Sequence, residues 1–534
     1  MISFVTPKAA RRAPRGSRRS SSVKGPERLE ERMLLANTVG LISQVSDLAH
    51  QGYTLFAPSN ATTTYLVDMA GNKVRSWQST LSPMTAELLP DGSLIRAGRV
   101  PTQGVPAGQA KQWAPGTSGR IEKFDWDGNL TWSYTLATPD RHLHHDFEVK
   151  PNGNVLMIAW ERRSYAEAVE AGRRPNDVPV APGTITPATP NGVRELWPDI
   201  IIEVKPNQPA AGETYAEGGE IVWEWDLWDH LVQNVDRTKE NFGNVARSAH
   251  KIDINYYLKG TGMGGVPADW THFNSIDYSP ELQQIIVSPR EFGESWIIDQ
   301  STTTEEARGS TGGLSGKGGD ILFRWGNPAA YGRGTWQNQQ LHYQHDPQWI
   351  KPGLPGAGNI LVFDNGWSST PQRPSFSRVL EVKLPYDGRG GYTSPTARAP
   401  VVWQYFSNPL NQFFARIISG AQRLPNGNTL INEGTEGRFF EVTSQRRIVW
   451  EYRNPVVNAS PSGILRQGQR PPVNQAIRGL KIPGVLTNMV FRAYRYGSDF
   501  SGFVGRDLSS QGPIELPRPG VTRSVATAFA GLGR

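Results

Sequence analysis

The sequence predicts an all-β protein built as one six-bladed β-propeller. Composition is the first ground: 56 Gly, 41 Pro and 17 Trp among 534 residues, with short apolar runs between turn residues, favour strands over helices. The second is a repeat in two halves. The first half is an apolar strand, a turn carrying Asp or Gly, and a strand ending in Trp; the second is a strand, "PNG" or "PDG", and another strand. Asp-Gly and Asn-Gly between alternating strands are strong hairpin signals.

The first half occurs six times: "YLVDMAGNKVRSWQS", "IEKFDWDGNLTWSY", "IIEVKPNQ…GGEIVWEW", "SWIIDQ…GGDILFRWG", "SRVLEVKLP…PVVWQY" and "FFEVTSQRRIVWEY". The second half accompanies it as "AELLPDGSLIRAG", "HHDFEVKPNGNVLMIAW", "HFNSIDYSPELQQIIVSPR", "QHDPQWIKPGLPGAGNILVFDNG", "SGAQRLPNGNTLINEG" and a degraded copy around "LTNMVFRAYRYG". A four-stranded sheet cannot bury both faces alone, so six such units stack around an axis. Tandem sandwiches are the alternative, but the two halves alternate too regularly for independent domains. The expected limits are a basic leader over 1–37, the propeller over 38–500 and a tail over 501–534. Insertions at 162–200, 226–268 and 300–318 are expected as rim loops, where propellers usually build function.

Net charge is +7, and residues 1–32 alone hold nine Lys or Arg against three Glu. The charge therefore sits on a Ser/Arg-rich leader and leaves no groove-binding face for nucleic acid. No stretch approaches the ~18 continuous apolar residues of a spanning helix. Cysteine is absent, which excludes disulfides, iron–sulfur clusters and thiolate zinc sites. The leader's end, "GPERLEERMLLAN", resembles the "LEPRMLLS" type of segment on bacterial exported and surface proteins, and export is the expected localisation.

The chain has only nine histidines, and they cluster: "RHLHHDFEV" at 141–149 and "LHYQHDPQW" at 341–349. Aligned on their hairpin turns, His145, His272 and His345 fall at nearly equivalent blade positions, with Met84 and Ser419 there in other blades. Equivalent positions lie at one height around the axis, so the three rings are expected to face one another at one end of the channel. A turn near residue 281 puts Arg290 opposite His272 across the strand pair. Strand alternation sends His144 and His145 to opposite faces, with His145 the choice for the channel. Asp146 and Asp346 either cap a strand or hold an imidazole tautomer. Imidazole suits zinc, copper or iron, but Arg290 repels a dication, and neither metal nor cofactor enters the preferred reading.

"HHDFEVKPNGNVL", "DWTHFNSIDYSPELQQIIVSPR", "QHDPQW…GNILVFDNG", "SRVLEVKL" and "RLPNGNTLINEGTEGRFFEV" together resemble the bacterial arylsulfotransferases that need no nucleotide sulfate donor. The resemblance spans about residues 60 to 455 and implies a six-bladed propeller with a transiently sulfated histidine, two assisting histidines and an arginine. It implies His345 as nucleophile, His272 and Arg290 as the assisting pair and His145 as the remaining assistant. The chain departs from better-known members in lacking any disulfide and a recognisable β-domain before the propeller. The implied partners are a small aryl sulfate donor and a phenolic acceptor. His144, His342, Asn365 and Arg378 complete the candidate set as substrate-binding residues, with Tyr343, Trp349 or Trp367 candidates to hold the substrate ring. The leaving phenolate needs a proton, from His145 or His272. Two other classes stay open: a propeller oxidoreductase or lyase using a quinone or metal, and a non-catalytic surface-binding propeller.

Overall fold

A computed structural model describes residues 38–100, 113–257, 268–368, 373–389, 391–458, 463–472 and 487–518. The expected leader at 1–37 and the last part of the expected tail, 519–534, lie outside the described residues.

Six antiparallel sheets form the blades of a propeller, as the repeat predicts. Blades two to five run in chain order from Pro83, Arg141, Phe273 and His345, each with its first strand innermost and its fourth outermost, except that in the second blade the short strand Ala216–Glu217 pairs in parallel outside the fourth. The ring closes twice. The strand Val490–Gly497 pairs with Gly52–Pro58 and becomes the innermost strand of the first blade. The strand Gly40–Gln44 pairs with Ile448–Arg453 and adds a fifth, outer strand to the sixth blade. The degraded half-repeat is thus the first blade's missing inner strand, displaced to the other end of the chain.

The repeat residues have identifiable work. Gly92, Gly153 and Gly427, third residues of the "PDG" and "PNG" turns, all sit at φ 84°, where a side chain is strained. The Trp of the fourth strand ties one blade to the next in five of the six blades. Its indole N–H donates to a carbonyl of the following blade: Trp77 to Asp125, Trp132 to Gly218, Trp225 to Gly319, Trp403 to Ser444 and Trp450 to Met69. Between the blades lie six apolar layers, each drawing buried side chains from two neighbours, such as Phe363 and Val379 with Ile431 and Phe440. Each blade is stable only against its neighbours, which is why the unit had to repeat.

Three expectations change in detail. The insertions 162–200 and 300–318 are not wholly irregular, because each carries a short helix started by a capping box, Ser164 with Glu167 and Thr303 with Glu306. Residues 501–518, expected as a tail, pack on the propeller, with Phe503 against Tyr53 and Trp126 at ring-centroid distances of 5.1 and 6.3 Å. Asp146 and Asp346 hold no imidazole. Each reaches the backbone of the next blade's inner strand, Asp146 to Ile276 N–H at 3.4 Å and Asp346 to Ala421 N–H at 2.9 Å.

Candidate active site

The inner strands of blades three, four and five each break their pairing with a bulge near the start. Regular pairing lapses after Leu143, Phe273 and His345 and resumes at Phe147, Ile276 and Gln348. Counted back from those points, His145 stands two residues earlier, His272 four and His345 three. The alignment on turns was therefore right only to within a residue, and the bulges absorb the offset. A bulge re-aims side chains by placing residues outside the extended region. His145 and His272 have φ of 53° and 54°, and Asp346 has 60°.

The rings of His145 and His272 meet edge to face at 4.6 Å. Phe491 lies between His145 and His345, its ring 6.0 Å from one and 6.4 Å from the other. Arg290 stands across from His272 with its guanidinium 4.6 Å over the Tyr343 ring and one terminal nitrogen on Glu291. Its Nε is buried without a hydrogen-bond partner. The four residues proposed for chemistry thus converge, and an unspent donor points from the cation. Burial, with Arg290 and Arg492 next in effect, holds the His345 imidazole well below the usual 6.5. Burial does the same to His145, reinforced by His272, His144 and His345. Both rings are neutral nucleophiles or bases at neutral pH.

Each ring is backed at Nδ1 by a different group. His345 Nδ1 lies 2.7 Å from Asn365 Oδ1 and 3.2 Å from the Tyr343 carbonyl, while the Ile418 N–H points at its Nε2 at 3.1 Å. His272 Nδ1 meets Asp269 Oδ2, and Asp269 Oδ1 accepts the Trp160 indole N–H at 2.8 Å. His145 Nδ1 lies 2.9 Å from His144 Nδ1. His144 in turn stacks on Trp160 at 3.9 Å, with Nε2 2.9 Å from Asp199 Oδ1 although off the hydrogen-bond axis. Strand alternation would have parted His144 from His145; the left-handed turn at His145 brings their rings together instead.

The remaining candidates lie around this cluster, each with partners of its own. Asn365 is buried, and its amide nitrogen donates to the carbonyls of Ala415 and Ile418 at 2.7 and 3.0 Å. Arg378 and His342 gather on Asp364. Arg378 donates to it at 2.6 Å, and the His342 backbone N–H at 2.7 Å. The His342 ring is pushed down to about 4 by burial. Trp349 belongs to the layer between blades four and five and donates to Tyr386. Tyr343 and Trp367 pack on each other at 5.1 Å beside Arg290, with Arg416 4.5 Å over Trp367.

Sequence reasoning missed the layer beneath the histidines. Arg492, from the inner strand of the first blade, reaches Asp346 at 3.0 Å and Asp146 at 3.6 Å and lies 4.4 Å over Phe491. Below it a cavity of about 220 Å³ is lined by Glu87, Glu148, Asp277 and Lys351. Asp199 and Asp269 were missed because their neighbours in sequence carry no histidine pattern, although Asp269 does sit three residues before His272. Among the described residues, no group of three or more His, Asp or Glu side chains is disposed to hold a metal ion.

Residues 213–459 match the family model described as arylsulfotransferase (ASST). That span includes His272, Arg290, His345 and Asn365 but not His145. No curated protein matches the chain. Among solved structures, the chain is similar to a protein of unknown function from Bacteroides caccae at 10% identity, covering 75% of this chain and 93% of that one with a TM-score of 0.37. Virginiamycin B lyase from Staphylococcus aureus aligns at 11% identity over 78% of this chain and 84% of its own, with a TM-score of 0.33. A 6-phosphogluconolactonase-like protein from Bacteroides fragilis aligns at 10% identity over 76% and 95%, also with a TM-score of 0.33.

Proposed function

We propose that the chain is an aryl-sulfate sulfotransferase working through a sulfohistidine at His345. The observation that carries the reading is the convergence of the buried His145 and His345 and the part-exposed His272 on Arg290, whose Nε has no protein acceptor, in a chain whose residues 213–459 match the arylsulfotransferase model. Sulfuryl transfer resembles phosphoryl transfer in passing through a loose centre with negative charge on its peripheral oxygens. Positioned cationic donors therefore do most of the work, and Arg290 supplies them.

In the first half-reaction the His345 Nε2 lone pair forms a bond to sulfur. The bond from sulfur to the aryl oxygen breaks, and its electron pair stays on that oxygen. A neighbouring protonated histidine delivers a proton there, so the first product leaves as phenol. In the second half the acceptor phenol's oxygen bonds to sulfur, the N–S bond breaks with its pair returning to Nε2, and the same histidine takes the phenol proton. Burial of His345 favours a neutral, nucleophilic ring at the start.

The scheme requires donor phenol to leave before acceptor binds. A chromogenic aryl sulfate should release a pulse of phenol without acceptor, give parallel double-reciprocal lines with one, and leave a single acid-labile sulfuryl group on the peptide containing His345. Intersecting lines with no mass shift under rapid quench would reject it. The leader's resemblance to export segments supports an extracytoplasmic location, and the amino terminus of protein taken from the native cell tests that: one near Ala36 or Asn37 in an extracytoplasmic fraction agrees, and an intact terminus in the cytoplasm does not.

A further inference from the structure

The three rings lie close together, His145 against His272 and Phe491 between His145 and His345, but differ in what stands behind them. An amide backs His345, a carboxylate backs His272, and a second imidazole backs His145. The hydrogen bonds settle which atoms carry protons at His345. The Asn365 amide nitrogen spends both hydrogens on the carbonyls of Ala415 and Ile418, which fixes its Oδ1 toward the ring. The other neighbour of His345 Nδ1, the Tyr343 carbonyl, is also an acceptor only. Nδ1 must therefore hold the proton, and the Ile418 N–H directed at Nε2 marks the lone pair.

Resting on the sulfotransferase reading, we infer that Asn365 and Asp269 are positioning residues that divide the work between two imidazoles, Asn365 presenting His345 as the nucleophile and Asp269 equipping His272 to carry the proton. An amide orients the ring without adding charge, so His345 keeps its lone pair at Nε2, held in this structure by the Ile418 N–H, which a sulfuryl group would displace. A carboxylate behind His272 compensates the charge that ring acquires on taking a proton at Nε2. At its Nδ1, His145 meets the His144 ring and no carboxylate. Of the three, His272 alone meets an anion directly at Nδ1. It is also the most accessible, with 13% of its side chain exposed. In the balanced scheme, His272 begins protonated, gives its Nε2 proton to the departing aryl oxygen, and regains one from the acceptor phenol.

The two positions predict different signatures across aryl sulfates whose phenols span a range of acidity. Asp269→Asn should leave the burst with 4-nitrophenyl sulfate within a few-fold of the parent, because that phenolate departs unaided. With phenyl sulfate it should fall by about 100-fold, the range that proton transfer contributes. Asn365→Ala should lower the burst by about 100-fold for every donor alike, since misorienting a nucleophile ignores the leaving group. Loss of equal size on all donors in Asp269→Asn, or a steepened leaving-group dependence in Asn365→Ala, overturns the division of roles. A second measurement needs no variant: nitrogen-15 spectra of the parent should show His345 protonated at Nδ1, and protonation at Nε2 overturns the assignment. If the parent itself shows neither burst nor sulfuryl adduct, the sulfotransferase reading fails and this inference with it; a parent burst with unseparated slopes rejects the inference alone.

Discussion

Arg290 faces His272 across the inner hairpin of the fourth blade, its backbone N–H donating to the His272 carbonyl at 3.2 Å. The pairing forces the two side chains onto the same end of the channel, so their separation is set by the sheet and not by a flexible loop. The guanidinium is further held by Tyr343 beneath it and Glu291 beside it, which leaves Nε as the donor to spare. A lysine at this position keeps the charge but offers no planar fork and no second anchor. Arg290→Lys should therefore lower kcat/KM by about 100-fold, some 3 kcal/mol of transition-state stabilisation. Activity within two-fold of the parent would remove Arg290 from the chemistry.

The direction of the histidine shifts gives a pH profile. Burial depresses His345 and His145, with positive neighbours reinforcing it, so both stay neutral well below the ordinary 6.5. A nucleophile of ordinary basicity would lose half its burst rate near that pH. Here the burst rate from a nitrophenyl donor should stay level from about pH 8 to about pH 6 and fall only at lower pH. A half-maximal point near 6.5 would show that His345 is not held as the structure holds it.

The closure between the sixth and first blades depends on Trp450. Its indole N–H donates to the Met69 carbonyl at 3.0 Å, and the Arg495 guanidinium lies 4.4 Å over its ring. Trp450→Phe keeps an aromatic ring but leaves a buried carbonyl without its donor. It should cost about 1 to 3 kcal/mol of stability while leaving the phenol burst unchanged. A melting temperature equal to the parent's would show that the apolar layer alone holds the joint.

How much of this was legible in the sequence follows from which constraints are local. Hairpin turns and outer tryptophans recur because each blade must solve the same packing problem, so "PNG" and the Trp-ended strand announced six blades. The convergence of His145, His272, Arg290 and His345 was legible because a shared blade position implies a shared height. The offset of a residue between them was hidden, since bulges at these strands have no composition signal beyond the site itself. Asn365 was picked out, but its contact with His345 was not legible, because its orientation depends on the carbonyls of Ala415 and Ile418, some fifty residues further on. Arg492 went unnoticed because the inner strand of the first blade lies at the far end of the chain, and its half-repeat had lost the "PNG" turn that marked the others.

That same Arg492 leads to a prediction about stability. It is shared by Asp346 at 3.0 Å and Asp146 at 3.6 Å, so one cation serves two buried carboxylates. Burial pushes Asp146 up to about 7; Arg492 works against this and Asp346 adds to it. Burial likewise raises Asp346 to about 6 against the pull of Arg492. A group whose folded value lies above its ordinary 3.8 binds its proton more tightly in the native state. Its contribution to stability is complete below that ordinary value and is lost as pH rises through about 7. Asp146→Asn keeps an oxygen to accept the Ile276 N–H but never ionises, so it escapes this loss. Whatever the variant's melting temperature relative to the parent at pH 5, it should gain about 2 °C on the parent by pH 8. An unchanged difference between the two pH values would mean that Asp146 stays ionised throughout, paired with Arg492 strongly enough to overcome its burial.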